Sequence, residues 1–226
     1  MSSPLVAGFN PHFQIGLDVA ARRCLVVGGG HEALDKTQRL LDAGAHVVVV
    51  TRSAAPKLQA LAAAGRIELR LRAFRRTDLR RTRLVVNTAV GDPRIAARVW
   101  RSARRRKVLI NTYDTPSQST VAMAALVKSG HLRISVSTSN ASPALAGKLR
   151  RGLTLLFDDT FDDYLEALGR VRRYLRESEP DRARRIALLQ ELVADFRIAG
   201  ELHYPEGWRL RMQEILEPST SQPAPR

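Results

Sequence analysis

Apolar positions along the chain follow two periods. Cys24 to Val27, His46 to Val50, Leu84 to Asn87 and Val108 to Asn111 are short, nearly continuous apolar runs, and Ile67 to Leu71 alternates apolar with charged residues; together they predict five strands. Between them the spacing becomes helical. Glu32 to Ala43 sets Ala33, Thr37, Leu40 and Leu41 on one face and meets Gly44 as its C′ residue, and Pro93 to Arg105 carries its proline in the first turn. Strands alternating with helices or helix-length connections predict an α/β protein with a doubly wound parallel sheet.

After Asp114 the pattern changes. Thr120 to Lys128 is a short segment of small residues, and His131 to Ser137 alternates as a strand with Leu132, Ile134 and Val136 on one face. Ser142 followed by Pro143 predicts an N-cap and a helix running through Leu145, Leu149, Leu153 and Leu156. Two amphipathic helices are expected near Phe161 to Arg176 and Pro180 to Ile198, and residues 217–226 read as a disordered tail by composition.

The first strand runs into Gly28-Gly29-Gly30-His31-Glu32-Ala33, so Gly28, Gly30 and Ala33 satisfy G-x-G-x-x-A. Such a turn needs small residues for three reasons: a tight bend, close approach of backbone N–H groups to a pyrophosphate, and tight helix–strand packing. The phosphate then rests on a helix N-terminus. At the end of the second strand an NAD-binding unit commonly offers Asp or Glu to the ribose, whereas this chain offers Thr51-Arg52-Ser53. Arg52 fits either of two readings, selection of a 2′-phosphate and hence NADP, or one more surface arginine.

Ligands of doubly wound sheets sit beyond the carboxyl ends of the strands, and Gly28, Thr51, Thr88 and Asp114 all fall at such ends. That makes Asp114 the leading candidate for acid–base chemistry; Asp114-Thr115-Pro116 is also a good turn sequence, which leaves a purely structural role open.

Composition narrows the partners. With 226 residues, 44% of them hydrophobic, the chain can bury a real core. Its one cysteine, Cys24, lies in the first strand and excludes a disulfide framework or a multi-cysteine zinc site. The five histidines show no i, i+4 pairing, so no metal site is expected. Met1 to His12 lacks a basic segment followed by an apolar run, and no stretch approaches the ~20 apolar residues of a membrane span, so a cytoplasmic protein is expected. The net charge of +15 attracts polyanions, but aromatics are only 5% and are not interleaved with the basic residues, which argues against a stacking platform for nucleic acid.

Together these residues resemble the precorrin-2 dehydrogenases of siroheme synthesis, including the bifunctional dehydrogenase/ferrochelatases and the N-terminal module of fused siroheme synthases. The resemblance runs from about Phe13 to about Phe196. It is carried by Leu25 to Gly30, Lys36 with Leu40 to Ala45, Asp92-Pro93, Asn111 with Asp114 and Pro116, and Ser142 to Ala146. It implies an NAD-binding Rossmann domain (1–112), a small dimerisation region (113–150) and a helical C-terminal domain (151–216), assembled as a homodimer. It also implies oxidation of precorrin-2 to sirohydrochlorin with NAD⁺, several members inserting Fe²⁺ as well. Asp114 maps onto the family's essential acid/base, and His31, Glu32, Arg52 and Ser53 onto cofactor-contacting positions, beside Gly28, Gly30 and Thr88. Asn111, Ser137 and Thr138 are the corresponding substrate-side candidates. The chain departs from the family at Ala124, often proline, at Ser139-Asn140, often Gly-Gly, and at Val90-Gly91, often Thr-Asp. Two other classes compete: an NAD(H)-binding redox sensor without turnover, and a nucleic-acid-binding protein using the basic surface.

Overall fold

The computed structural model describes residues 12–216, so the expected tail at 217–226 and most of the N-terminal segment lie outside the described residues. The chain divides into two compact units, one through Asp162 and one from Asp163 onward.

The first unit is built on a parallel sheet of five strands, β1 (Arg23–Val27), β2 (His46–Thr51), β3 (Glu68–Leu71), β4 (Leu84–Asn87) and β5 (Leu109–Thr112), in the order β3-β2-β1-β4-β5. The order reverses between β1 and β4, which makes their carboxyl ends the switch point where such sheets hold ligands. Alternate side chains feed two cores. Val26, Val47, Val49, Leu84 and Val86 pack with α1 (His31–Asp42) and α2 (Pro56–Ala63); Leu25, Val27, Val48, Val50 and Val85 pack with α3 (Pro93–Arg105). Helices on both faces explain why the strands read as continuous apolar runs. Cys24 is fully buried, and burial pushes its thiol up to about 11, so it packs and does not react.

The expected strands hold with one-residue shifts at β1, β2, β3 and β5. Gly44 adopts φ +75° just after α1, as a C′ glycine does. Beyond β5, Thr115 to Val121 folds back along the strand: Thr120 and Val121 donate to Ile110 O at 2.7 and 3.2 Å, and Thr112 N donates to Ser119 Oγ at 2.8 Å. The return covers an edge that would otherwise expose unpaired backbone groups.

The small-residue segment expected at 120–128 is corrected in part. Ala125–Ser129 forms β6, antiparallel to β7 (Leu132–Val136), because its partner lies across the turn at Gly130 and supplies the hydrogen bonds that local pattern did not reveal. Gly130 adopts φ +43°, and a Cβ there would lie 3.0 Å from the Asp162 carboxyl carbon. Ser142 caps α4 (Pro143–Thr154) by accepting from Leu145 N. That helix stops before Leu156, since Asp158 takes up the N-cap role for α5 (Asp159–Ser178), accepting from Phe161 N at 2.9 Å.

In the second unit, α6 (Arg182–Glu191) is shorter than the expected 180–198. Asp181 caps its start, and at its end the Tyr164 hydroxyl donates to Leu192 O at 2.6 Å while the Tyr164 ring stacks on Phe196 at 5.9 Å. A further helix, α7 (Trp208–Leu216), follows.

Candidate functional site

The glycine turn at the end of β1 is held from both sides. Gly28 N donates to Val50 O at 3.0 Å, and Thr88 donates to Val27 O through its N at 2.8 Å and its Oγ1 at 3.1 Å. Gly28 adopts φ +128°, and a Cβ there would lie 2.1 Å from Thr88 Oγ1. A Cβ on Gly29 would lie 1.9 Å from Ser53 O. Both positions therefore exclude any side chain. Gly30 differs: a Cβ there would meet nothing within 4 Å. It is the N-cap of α1, and no side chain caps that helix end. Open space in front of an uncapped helix N-terminus suits a diphosphate, so these residues fit the nucleotide that the turn suggests. Gly28, Gly29 and Gly30 would hold its phosphates.

Around this turn stand His31, exposed, Glu32, half-buried, and the exposed Arg52 and Ser53 of the β2 exit. Lys36 bridges Glu32 at 3.5 Å and Asp35 at 2.7 Å. On the other side of the switch point, Tyr113 N donates to Asn87 O at 2.9 Å, which ties the turn after β5 to the end of β4. Asp114 occupies that turn, exposed and at φ +50°, a conformation that costs a non-glycine residue about 1–2 kcal/mol. β1 and β5 lie two strands apart, so the glycine turn and the Asp114 turn are separated by about 10 Å at the usual strand spacing.

Two residues not singled out from sequence join these ends. The Tyr113 phenol is pushed up chiefly by the Glu32 charge, with desolvation next and Asp114 adding a smaller repulsion. Tyr113 thus brings the acid-bearing turn near the Glu32 carboxylate in the first turn of α1. Asn87, fully buried, accepts from Ala89 N at 3.2 Å, while its Nδ2 has no partner among the described residues. A polar residue closing the apolar run Leu84-Val85-Val86 was the available signal.

The structure brings Gly28, Gly30, His31, Glu32, Arg52, Ser53, Thr88 and Asp114 to one edge of the sheet. Asn111 lies on β5 and spends an amide N–H on Val121 O at 3.0 Å, helping to hold the covering segment. Ser137 and Thr138 stand at the exit of β7. Thr138 Oγ1 donates to Ser142 O at 3.0 Å and accepts from Ser142 N at 3.1 Å, and Ser137 Oγ accepts from Ser139 N at 3.2 Å, so both hydroxyls brace the turn into α4. In that turn Ser139 and Asn140 adopt φ +52° and +69°, the conformation that glycine takes most readily. Among the described residues, no group of three or more His, Cys, Asp or Glu could hold a metal ion, and no helix is long and apolar enough to cross a membrane.

A family described as putative NAD(P)-binding matches residues 15–125. The siroheme synthase of Methylococcus capsulatus is 36% identical over 163 residues, 72% of this chain and 34% of that protein. That of Pseudomonas fluorescens SBW25 is 33% identical over 183 residues, 79% and 39%. That of Nitrosococcus oceani is 30% identical over 200 residues, 87% and 42%. The chain thus spans between a third and a little over two fifths of these relatives' lengths. Among solved structures, one titled SirC, precorrin-2 dehydrogenase, superposes with a TM-score of 0.70 at 24% identity, covering 81% of this chain and 90% of that one, which establishes a shared fold.

Proposed function

The chain belongs to the precorrin-2 dehydrogenase family of siroheme synthesis, and from that premise we propose that it oxidises precorrin-2 to sirohydrochlorin with NAD⁺. The observation that carries this reading is the exposed carboxylate of Asp114, in the turn hydrogen-bonded to the end of β4, two strands from the glycine turn.

Oxidation removes a hydride and a proton from the macrocycle. NAD⁺, when bound, accepts the hydride. Asp114 takes the proton: it is solvent-accessible, forms no ion pair among the described residues, and sits on a turn braced by the return of 115–121 along β5. General acid–base help of this kind contributes typically ~10²–10⁴-fold. Exposed arginines give the carboxylates of a tetrapyrrole forked donors. The family resemblance further suggests Fe²⁺ insertion, in which the ion is a substrate and Asp114 receives pyrrole protons. It also suggests a homodimer, a cytoplasmic location, and the three-part organisation 1–112, 113–150 and 151–216.

The test is anaerobic incubation with enzymatically generated precorrin-2 and NAD⁺, following NADH and the sirohydrochlorin spectrum, then addition of Fe²⁺. NADH with sirohydrochlorin supports the dehydrogenase, and siroheme formation faster than in an enzyme-free control supports the chelatase. Absence of NADH with either NAD⁺ or NADP⁺ would favour a nucleotide-binding sensor.

A further inference from the structure

We infer that the ribose end of the nucleotide site is built to accept a 2′-phosphate through Arg52, so that NADP⁺ serves as hydride acceptor alongside NAD⁺; the inference deepens the nucleotide-binding reading above and rests on it.

The sequence leaves Arg52 between two roles, and packing fixes its backbone beside the glycine turn. The β2 exit is pressed directly against the glycine turn: a Cβ on Gly29 would lie 1.9 Å from Ser53 O and 2.6 Å from Thr51 Oγ1, and Ala55 N donates to Gly29 O at 2.8 Å. The segment carrying Arg52 is thus fixed beside the diphosphate position, where the adenosine ribose of a dinucleotide lies in this kind of fold. Within it, the Thr51 hydroxyl is consumed, donating to Ser53 O at 2.7 Å and accepting from Ser53 N at 3.2 Å. Arg52 and Ser53 are the exposed side chains that remain.

A carboxylate at this place does two things: it accepts from the ribose hydroxyls, and it repels a 2′-phosphate. Neither occurs here, since no acid follows β2 before α2 begins. On α1, across the glycine turn, Lys36 bridges both Glu32 and Asp35. Asp35 lines a cavity of about 550 Å³ together with His31 and Lys57, so a second cation, in the first turn of α2, stands near the start of α1. Among the described residues neither Arg52 nor Lys57 has a carboxylate within ion-pairing distance. An unpaired guanidinium offers a phosphate two parallel N–H donors, which a surface lysine cannot.

The test is direct titration of the full chain with NADH and NADPH, followed by nucleotide fluorescence, with 5′-AMP and adenosine 2′,5′-bisphosphate as calorimetric probes. The expected result is NADPH binding at least as tightly as NADH to within about threefold, and Arg52→Asp weakening NADPH by about tenfold or more while moving NADH by less than about threefold. Arg52→Lys, which keeps the charge and loses the fork, should fall between. Arg52 is exposed, so both variants should fold. The inference is overturned if the wild type binds NADPH more than about tenfold more weakly than NADH, if Arg52→Asp weakens both dinucleotides equally, or if neither binds. If the 2′-phosphate preference holds but precorrin-2 is oxidised with neither acceptor, the substrate reading falls and Arg52 keeps its role. If NAD⁺ supports turnover while NADPH fails to bind, the Arg52 inference falls alone.

Discussion

Two aspartates follow strands of the same sheet, and their surroundings could hardly differ more. Asp78, after β3, is fully buried: its carboxylate accepts from Arg70 at 2.7 Å, from Arg72 at 2.6 and 2.9 Å, and from Arg75 N at 2.8 Å. Its backbone carbonyl accepts from Arg23, which also reaches Arg80 O and Thr82 Oγ1. Burial raises the Asp78 carboxyl, yet the hydrogen bonds from Arg72, Arg75 N and Arg70 outweigh it and bring it down to about 2. Asp114, after β5, is exposed, stands in the left-handed region and is held by the backbone of its turn. A carboxylate whose lone pairs are all spent is part of the scaffold; one whose lone pairs face solvent beside a ligand edge is available for chemistry. Residue type and position at a strand end do not distinguish them. Partners do.

Replacing each in turn is the most severe way to break that contrast. Asp114→Ala should lower turnover by about 10²–10⁴-fold while leaving the melting temperature and nucleotide affinity nearly unchanged, measured as NADH formation and by fluorescence titration. Asp78→Ala should do the reverse, destabilising by about 3 kcal/mol in denaturant melts with turnover per folded molecule preserved. The low end of the range for a broken buried pair applies because Arg70 and Arg72 are about a third exposed and can turn to water. The same pair predicts a pH signature. Asp78 is depressed from its ordinary value of 3.8, so its contribution is complete above about pH 4 and disappears as pH falls toward 2. Acid melts of wild type and Asp78→Asn should diverge above that window and converge below it.

The glycine turn allows a smaller version of the experiment. Gly28→Ala places a Cβ against Thr88 at positive φ and should cost about 2–3 kcal/mol of stability along with nucleotide affinity. Gly30→Val meets open space, so the fold should survive while nucleotide affinity drops by about tenfold or more. Equal melting temperatures for the two variants would contradict the distinction between a glycine needed by the fold and one needed by the ligand. The smallest effect is expected at Ser139→Gly, which should raise stability by about 0.5–1 kcal/mol by relieving a left-handed serine.

Much of the first unit was legible because both faces of the sheet are covered, and a strand buried on both sides writes itself as an apolar run. Leu84-Val85-Val86 and Cys24 to Val27 are examples. β6 was not legible: Ala125-Leu126-Val127-Lys128-Ser129 does not alternate cleanly, and its strand character comes from pairing with β7. The Asp78 cluster was hidden for another reason. In a stretch as rich in arginine as 66–83, no local pattern tells which guanidiniums turn inward.

The chain's own pattern was enough to determine a parallel α/β sheet, a glycine turn ending its first strand, and an acid beyond its fifth, since periodicity and turn chemistry act over a few residues. Only the tertiary structure decided which polar groups are consumed. It closed Asp78 within arginines, tied the Asp114 turn to β4 through Tyr113 N, pressed the Arg52 segment onto Gly29, and braced Ser137 and Thr138 within their own turn. The Asp114 and Arg52 outcomes depend on contacts between residues far apart in the chain, the Asp78 and Thr138 ones on which of several nearby groups turn inward, and a side chain's chemistry is set by the donors and acceptors that reach it.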